Sequence, residues 1–151
     1  MIHEFKAIDA LSRWYVNYDE ARFDVLERLV THDVESRSCM DAGTHPSNDP
    51  IRSEAIGRDA VLRWTREHRL ESPYPLRHNI ANAYIAAVRA DEIDVEAYLF
   101  VTLTRSGNPA PVSGGLLRAT VRVVDGEYLL CRKEVVIDSI ESTPLAELRA
   151  G

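Results

Sequence analysis

Cysteine is scarce in this chain: Cys39 and Cys131 are its only two, far apart and in no ligand spacing. The plain reading is a pair of reduced thiols rather than a disulfide framework. His3, His32, His45 and His68 form no His-x-x-x-His or His/Cys pattern, so the spacing predicts no metal site. No apolar run nears the roughly 18 residues of a membrane span. The opening stretch MIHEFKAIDAL mixes charge with apolar residues and lacks the uninterrupted apolar segment of a secretory signal, which predicts a cytoplasmic protein. Lys/Arg clusters are absent and the net charge is −6, which argues against a nucleic-acid surface. No Gly-rich phosphate loop occurs, SGG at 113–115 being a strand entry. No serine has the strained-turn context of a hydrolase nucleophile. No repeat or low-complexity tract appears. What these absences leave as partners are small molecules and other proteins.

What is present fits a single domain over residues 1–151. Hydrophobic residues make up 45% and charged residues 28%, ordinary for a globular protein, and a chain of this length buries roughly 70% of the surface its unfolded form exposes. Over residues 3–18, Phe5, Ile8, Leu11, Trp14, Tyr15 and Tyr18 recur at helical spacing while Asp9, Arg13 and Asn17 lie elsewhere, predicting an amphipathic helix. A short second helix follows, with Phe23, Leu26, Leu29 and Val30 as its stripe. From Cys39 to Ile56 the text is rich in Gly, Pro, Asn, Asp and Ser and predicts a long loop, either a lid or a disordered segment. The stretch GRDAVLRWTREHRL then gives a third helix with Val61, Leu62, Trp64 and Thr65 inward, closed by ESPYP.

After Pro75 the period changes to two. Residues 77–89, 93–105, 115–124 and 127–138 have strand character, separated by ADE, SGNPAPVSG and DG. Helices first and a meander after predict an α+β fold, with N-terminal helices packed on a curved antiparallel sheet that forms a cone-shaped pocket. The tail ESTPLAELRAG reads as a frayed or docked end.

Asp125–Gly126 reads as a two-residue hairpin loop, which sets Val124 opposite Glu127, Val123 opposite Tyr128 and Val121 opposite Leu130. Continued without interruption, that register sets Ala119 opposite Arg132 and Leu117 opposite Glu134. Arg132 and Glu134 then share the apolar face, while Lys133 joins Arg118, Thr120 and Arg122 on the other. Charges on an apolar face are costly unless paired or engaged by a ligand; both outcomes are open here. Along 93–103, Ile93, Val95, Ala97, Leu99, Val101 and Leu103 share one face, and Glu96, Tyr98, Phe100, Thr102 and Thr104 the other. Apolar bulk on both faces calls for a cover, and the expectation is a homodimer through the sheet.

Three stretches carry a family likeness. YDEARFDVL resembles the Tyr-Asp-x-x-x-[Trp/Phe]-Asp-x-Leu stretch of scytalone dehydratase and of the broader SnoaL-like group in the nuclear-transport-factor-two-like superfamily. PLRHNIANAYI resembles that group's first long strand, which begins with a His, and VDGEYLLCRKEVVIDS its closing strands. The resemblance covers about residues 5–138 and implies a cone-shaped α+β fold. It carries over Tyr18 as a substrate-polarising phenol, Asp19 as the group that orients a histidine, and His78 as the proton-transferring group. The family's second catalytic His falls near Leu99, its second Tyr near Ser36, and its Ser/Asn contacts near Gly115 and Leu117, so only part of the constellation transfers. RKEVVID and RHNIAN resemble equally the β subunit of aromatic-ring-hydroxylating dioxygenases, which implies a noncatalytic assembly role instead.

The chemistry stands apart from the likeness. A histidine near its ordinary pKa both takes and gives a proton at neutral pH, and a neighbouring carboxylate fixes its tautomer. Tyr18 or Tyr15 could donate to an oxygen on which charge develops. Tyr98, Arg132 and Trp64 are candidate substrate contacts. The expected activity is dehydration, isomerisation or cyclisation of a mostly apolar, oxygenated small molecule, without cofactor or metal. The bland alternatives are a core or edge histidine satisfied by backbone at 78, a turn or cap residue at Asp19, and aromatic side chains that only fill core.

Overall fold

The computed structural model describes residues 2–41, 49 and 51–148. Helix α1 (Ile2–Asp19) is followed by α2 (Phe23–Glu27), β1 (Val30–Met40), β2 (Ser53–Ile56), α3 (Arg58–Glu71), β3 (Leu76–Val88), β4 (Glu92–Arg105), β5 (Asn108–Val124), β6 (Glu127–Ile137) and α4 (Leu145–Leu148). One six-stranded sheet runs in the order β2-β1-β6-β5-β4-β3. All neighbours are antiparallel except β1 and β6, which run parallel. The sheet is therefore mixed, an addition to the expected meander. The helices cover one face of the curved, unclosed sheet, which is the expected α+β cone.

Ala7, Ala10, Leu11, Trp14, Tyr15 and Tyr18 form the buried stripe of α1, the i, i+3, i+4 rhythm of one helix face. Phe5 was expected in that stripe but is 71% exposed, because it stands about 200° around the helix from Ala7. Two readings of the middle segment are corrected. Val30 opens β1 rather than closing a helix, and the stretch read as loop supplies the end of β1 and all of β2. Only Val30 and Val34 give β1 apolar weight; its further inward position, Ser36, is a small hydroxyl, so the alternation that marks a strand is faint. Residues 42–48 and 50 of the expected lid lie outside the described residues. The linker SGNPAPVSG is also largely strand, because β4 and β5 continue as a long hairpin to Arg105 and Asn108.

The β5–β6 hairpin begins as expected, with Val124 opposite Glu127 and Val121 opposite Leu130, and both turn residues have positive φ. The register then slips. Thr120 faces Arg132, so Cys131 is an extra residue on β6, the geometry of a β-bulge. Its Sγ lies 3.3 Å from the Thr120 carbonyl. A slip of one residue exchanges the two faces of a strand. Lys133 consequently turns inward, opposite Ala119, while Arg132 and Glu134 turn outward. Farther along, β5 approaches β6 so closely that only glycine fits at Gly115, where a Cβ would stand 2.1 Å from the Val136 carbonyl oxygen.

Candidate functional site

Between α1, α3 and the inner face of the sheet lies a cavity of about 570 Å³. Its walls are Trp14, Trp64, Leu99, Val101, Val135 and Ile137, with the polar groups of Tyr15, Tyr18, His68, His78 and Lys133 among them. A pocket of this size, mostly apolar with a few convergent polar groups, suits a small molecule.

Asp19 is the last residue of α1 and His78 the third of β3. The Asp19 carboxylate accepts twice from His78, from ring Nδ1 at 2.6 Å and from the backbone N–H at 2.8 Å. Both side chains are largely buried, at 6% and 11% exposed. Because Oδ1 engages Nδ1, the tautomer with the proton on Nδ1 leaves the Nε2 lone pair free. The position of Asp19 is itself secured by Arg69, whose buried guanidinium donates to the Asp19 carbonyl from Nε at 3.0 Å and Nη2 at 2.8 Å. The Nη1 group of Arg69 donates to the carbonyls of Ser72 and Pro73 at 3.3 and 3.2 Å. One cation thus satisfies the carbonyl ends of α1 and α3 and the segment leading into β3.

Tyr15 stacks on the His78 ring at 5.2 Å between centroids, and Tyr18 meets the same ring edge-on at 5.1 Å. The Tyr15 hydroxyl is buried and has no hydrogen-bond partner; burial, with Tyr18 and Asp19 adding to it, holds its pKa well above the ordinary phenol value. Tyr18 is pushed up to about 12, chiefly by burial and against the pull of Arg69. Both phenols therefore keep their protons at neutral pH and can donate. The Tyr18 hydroxyl lies 2.5 Å from Nδ1 of His68, and His68 stacks flat on Trp64 at 4.8 Å. Partial burial, then the neighbouring His78 and Lys133, lower the His68 pKa, which favours a neutral ring; with its proton on Nδ1 that ring donates to the Tyr18 oxygen and leaves the Tyr18 O–H free to donate elsewhere.

Of the residues expected to form the site, Tyr15, Tyr18, Asp19, Trp64 and His78 meet around this cavity. Tyr98 and Arg132 do not. Tyr98 lies on the outer face of the sheet, 48% exposed, because β4 alternates strictly and Leu99 takes the inward place. Arg132 is turned outward by the bulge and stands 3.6 Å from Glu35, while Glu134 pairs with Arg118 at 3.2 Å. Among the described residues no three His, Cys, Asp or Glu side chains gather to hold a metal, and no helix is long and apolar enough to cross a membrane.

A sequence model described as the SnoaL-like domain matches residues 6–134. The chain belongs to this family. Known structures agree on the fold of the SnoaL-like chain. A provisionally assigned β subunit of an aromatic-ring-hydroxylating dioxygenase from Novosphingobium aromaticivorans superposes with a TM-score of 0.75 at 16% identity, over 95% of this chain and 94% of that one. A provisionally assigned scytalone dehydratase from the same organism superposes at 0.70 with 20% identity, over 93% and 88%. An NTF2-like protein with a cystatin-like fold, also from that organism, superposes at 0.69 with 18% identity, over 97% and 86%. No curated protein sequence matches the chain.

Three functional candidates of the SnoaL-like domain escape sequence reasoning. His68 is one helical turn beyond Trp64, a spacing that puts both on one face, and it brings a second imidazole to the cavity from α3 where Leu99 gives β4 none. Arg69 follows Val61 and Thr65 at i+8 and i+4 on the buried side of α3, a signal the stripe of apolar residues obscured. Lys133 was assigned to the wrong face, since a bulge leaves no mark in the alternation that precedes it.

Proposed function

We propose that this SnoaL-like domain is a proton-transfer enzyme that dehydrates, isomerises or cyclises a mostly apolar, oxygenated small molecule within the cavity, using its own side chains and no cofactor. The observation that carries the reading is the buried Asp19–His78 pair, Nδ1 to Oδ1 at 2.6 Å, whose imidazole lines the cavity. In this scheme Nε2 of His78 takes a proton from the carbon beside a carbonyl, and Asp19 stabilises the imidazolium that forms. Tyr15 or Tyr18 donates to the carbonyl oxygen as it gains negative charge. In a dehydration the imidazolium then returns its proton to the departing hydroxyl, which leaves as water; in an isomerisation it returns the proton to a different carbon. His68 holds Tyr18 in place, and Trp64 forms part of the binding wall.

The test is deuterium exchange. Cyclic ketones such as 2-tetralone and β-hydroxy ketones, with and without carboxylate substituents, are incubated with the protein in D2O and followed by NMR. Wild type is expected to accelerate exchange beside the carbonyl, and His78→Gln to lose about 100-fold or more of that acceleration. An absence of acceleration across the panel, or undiminished exchange in the variant, refutes the scheme.

The outer sheet face supports a further part of the reading, association of two copies through it. Tyr98 and Phe100 are each about half-exposed there, beside a charge ladder in which Glu96, Arg118, Glu134, Arg37 and Glu54 follow one another across five strands. A ladder of alternating sign can pair with its own copy about a two-fold axis. Light scattering should give a dimer mass; a monomer mass independent of concentration overturns this. The same face favours a second reading, a noncatalytic assembly subunit, for which the marker is copurification with a larger chain.

A further inference from the structure

The cavity has an electrostatic character that proton transfer alone does not require. The chain carries a net charge of −6, yet no Asp or Glu is among the described residues that line the cavity, while Lys133 and Arg52 are. Lys133 is only 7% exposed. No carboxylate among the described residues pairs with it, and its ammonium lies over the Tyr15 ring, 6.0 Å from Nζ to the centroid, at the outer limit of a cation–π contact. An ammonium group taken from water without a counter-charge is costly. Tyr15, 4% exposed, adds a buried hydroxyl with no partner on the same wall. Tyr15 thus has a buried hydroxyl short of an acceptor and Lys133, on the same cavity, a cation with no carboxylate paired to it among the described residues; the cavity is where a ligand would supply both.

We propose that Lys133 and the Tyr15 hydroxyl form a receptor for a carboxylate, so that the molecule bound in the cavity is a small, largely apolar carboxylic acid held as its anion. The apolar remainder packs on Trp14, Trp64 and Leu99, and the negative group replaces the counter-charge that the fold withholds. The proposal rests on the reading of this cavity as a substrate pocket, and it stands whether or not His78 moves a proton. It also assigns a reason to the Cys131 bulge, which alone turns Lys133 to the inner face.

The probes are 2-naphthoate and its uncharged isostere 2-naphthamide, titrated calorimetrically into wild type, Lys133→Met and His78→Gln. Wild type at pH 7 is expected to bind the acid at least tenfold more tightly than the amide. Lys133→Met should lose that preference while keeping its affinity for the amide. Affinity of wild type for the acid should fall as pH rises from 7 to 10, through the region near 8 to which burial lowers Lys133. The ionisable groups that share the cavity with Lys133 are Tyr15 and Tyr18 from α1, His68 from α3, His78 from β3 with its partner Asp19, and Arg52 beside β2. The outer groove that Lys133 also borders adds Glu35, Glu54, Asp94, Glu96 and Glu134, carboxylates whose ordinary range lies below this window, and Arg37, Arg118 and Arg132, guanidiniums charged throughout it. Both tyrosines are raised above this window and His68 is lowered beneath it; repeating the titration in His78→Gln removes the remaining imidazole. Equal binding of acid and amide, no binding of either, or an unchanged preference in Lys133→Met overturns the proposal. Should that variant fail to fold, the pH dependence in wild type decides alone, and a flat profile overturns it. Retained binding in a His78→Gln protein that has lost exchange separates this receptor from the proton-transfer scheme.

Discussion

Replacing Lys133 with methionine should make the unliganded protein more stable, and the gain should vanish at high pH. Burial lowers the Lys133 pKa from its ordinary 10.5 to about 8. Between those values the unfolded chain binds more protons than the native one, so native stability rises with pH across that window. Below pH 8 both states carry the charge and the native state bears the full cost of burying it. At 1.36 kcal/mol per pKa unit the cost is about 3 kcal/mol, an upper figure because relaxation and water entry reduce it, and within the roughly 1–4 kcal/mol recovered when buried ions give way to apolar side chains. Methionine has a similar length and no charge. At pH 6–7 the variant should therefore gain about 1–3 kcal/mol, which for a chain of this size raises Tm by several degrees at about 2–4 °C per kcal/mol. Urea denaturation of both proteins at intervals from pH 6 to 11 measures it. The two stabilities should converge, apart from a constant packing difference, once pH passes the unfolded pKa. A variant less stable at pH 6–7, or a difference independent of pH throughout, refutes the argument and means that Lys133 has a native partner that stabilises its charge.

Two other variants probe the scaffold that positions the site. Gly115→Ala should lose about 3 kcal/mol in urea denaturation, since the new Cβ meets the Val136 carbonyl oxygen at 2.1 Å and the Ile137 Cα at 2.9 Å, both backbone; a loss below about 1 kcal/mol would show that β5 and β6 separate easily. Arg69→Met should lose about 3 kcal/mol or more, because the buried guanidinium serves the carbonyls of Asp19, Ser72 and Pro73, and near-wild-type stability would remove Arg69 from the account.

The α+β architecture was readable because its main elements have strong periods. The stripe of α1 and the alternation of β4 from Ile93 to Val101 each bury one face cleanly. The Asp-Gly turn likewise fixed the start of the last hairpin. What escaped has physical causes. In β1, Ser36 is buried and Ser38 lines the cavity at positions where apolar residues would mark a strand, so the revealing period weakens there. The Cys131 bulge, one residue with no distinctive chemistry, reverses the faces of everything after it and so exchanges Arg132 for Lys133 at the pocket. Tyr18, Asp19 and His78 were found through family likeness and not through spacing, since sixty positions separate residues that only the packing of α1 against β3 brings together.

Asp19 also changes how variants at this site must be read. Its Oδ2 accepts the backbone N–H of His78 and its Oδ1 accepts the ring, so the carboxylate anchors the start of β3 to the end of α1 as well as orienting an imidazole. An amide in its place presents one acceptor and one donor to two donors, leaving a buried N–H unmatched at a cost of about 1–3 kcal/mol. Loss of stability in Asp19→Asn is therefore expected under a structural role and under a catalytic one, and cannot choose between them. His78→Gln leaves its own backbone N–H on Oδ2 and removes only the ring. Selective loss of exchange in that variant, with the fold retained, bears on proton transfer, whereas the same loss in Asp19→Asn mixes chemistry with anchoring. The division of work between the two carboxylate oxygens thus makes the histidine, rather than the aspartate, the informative position.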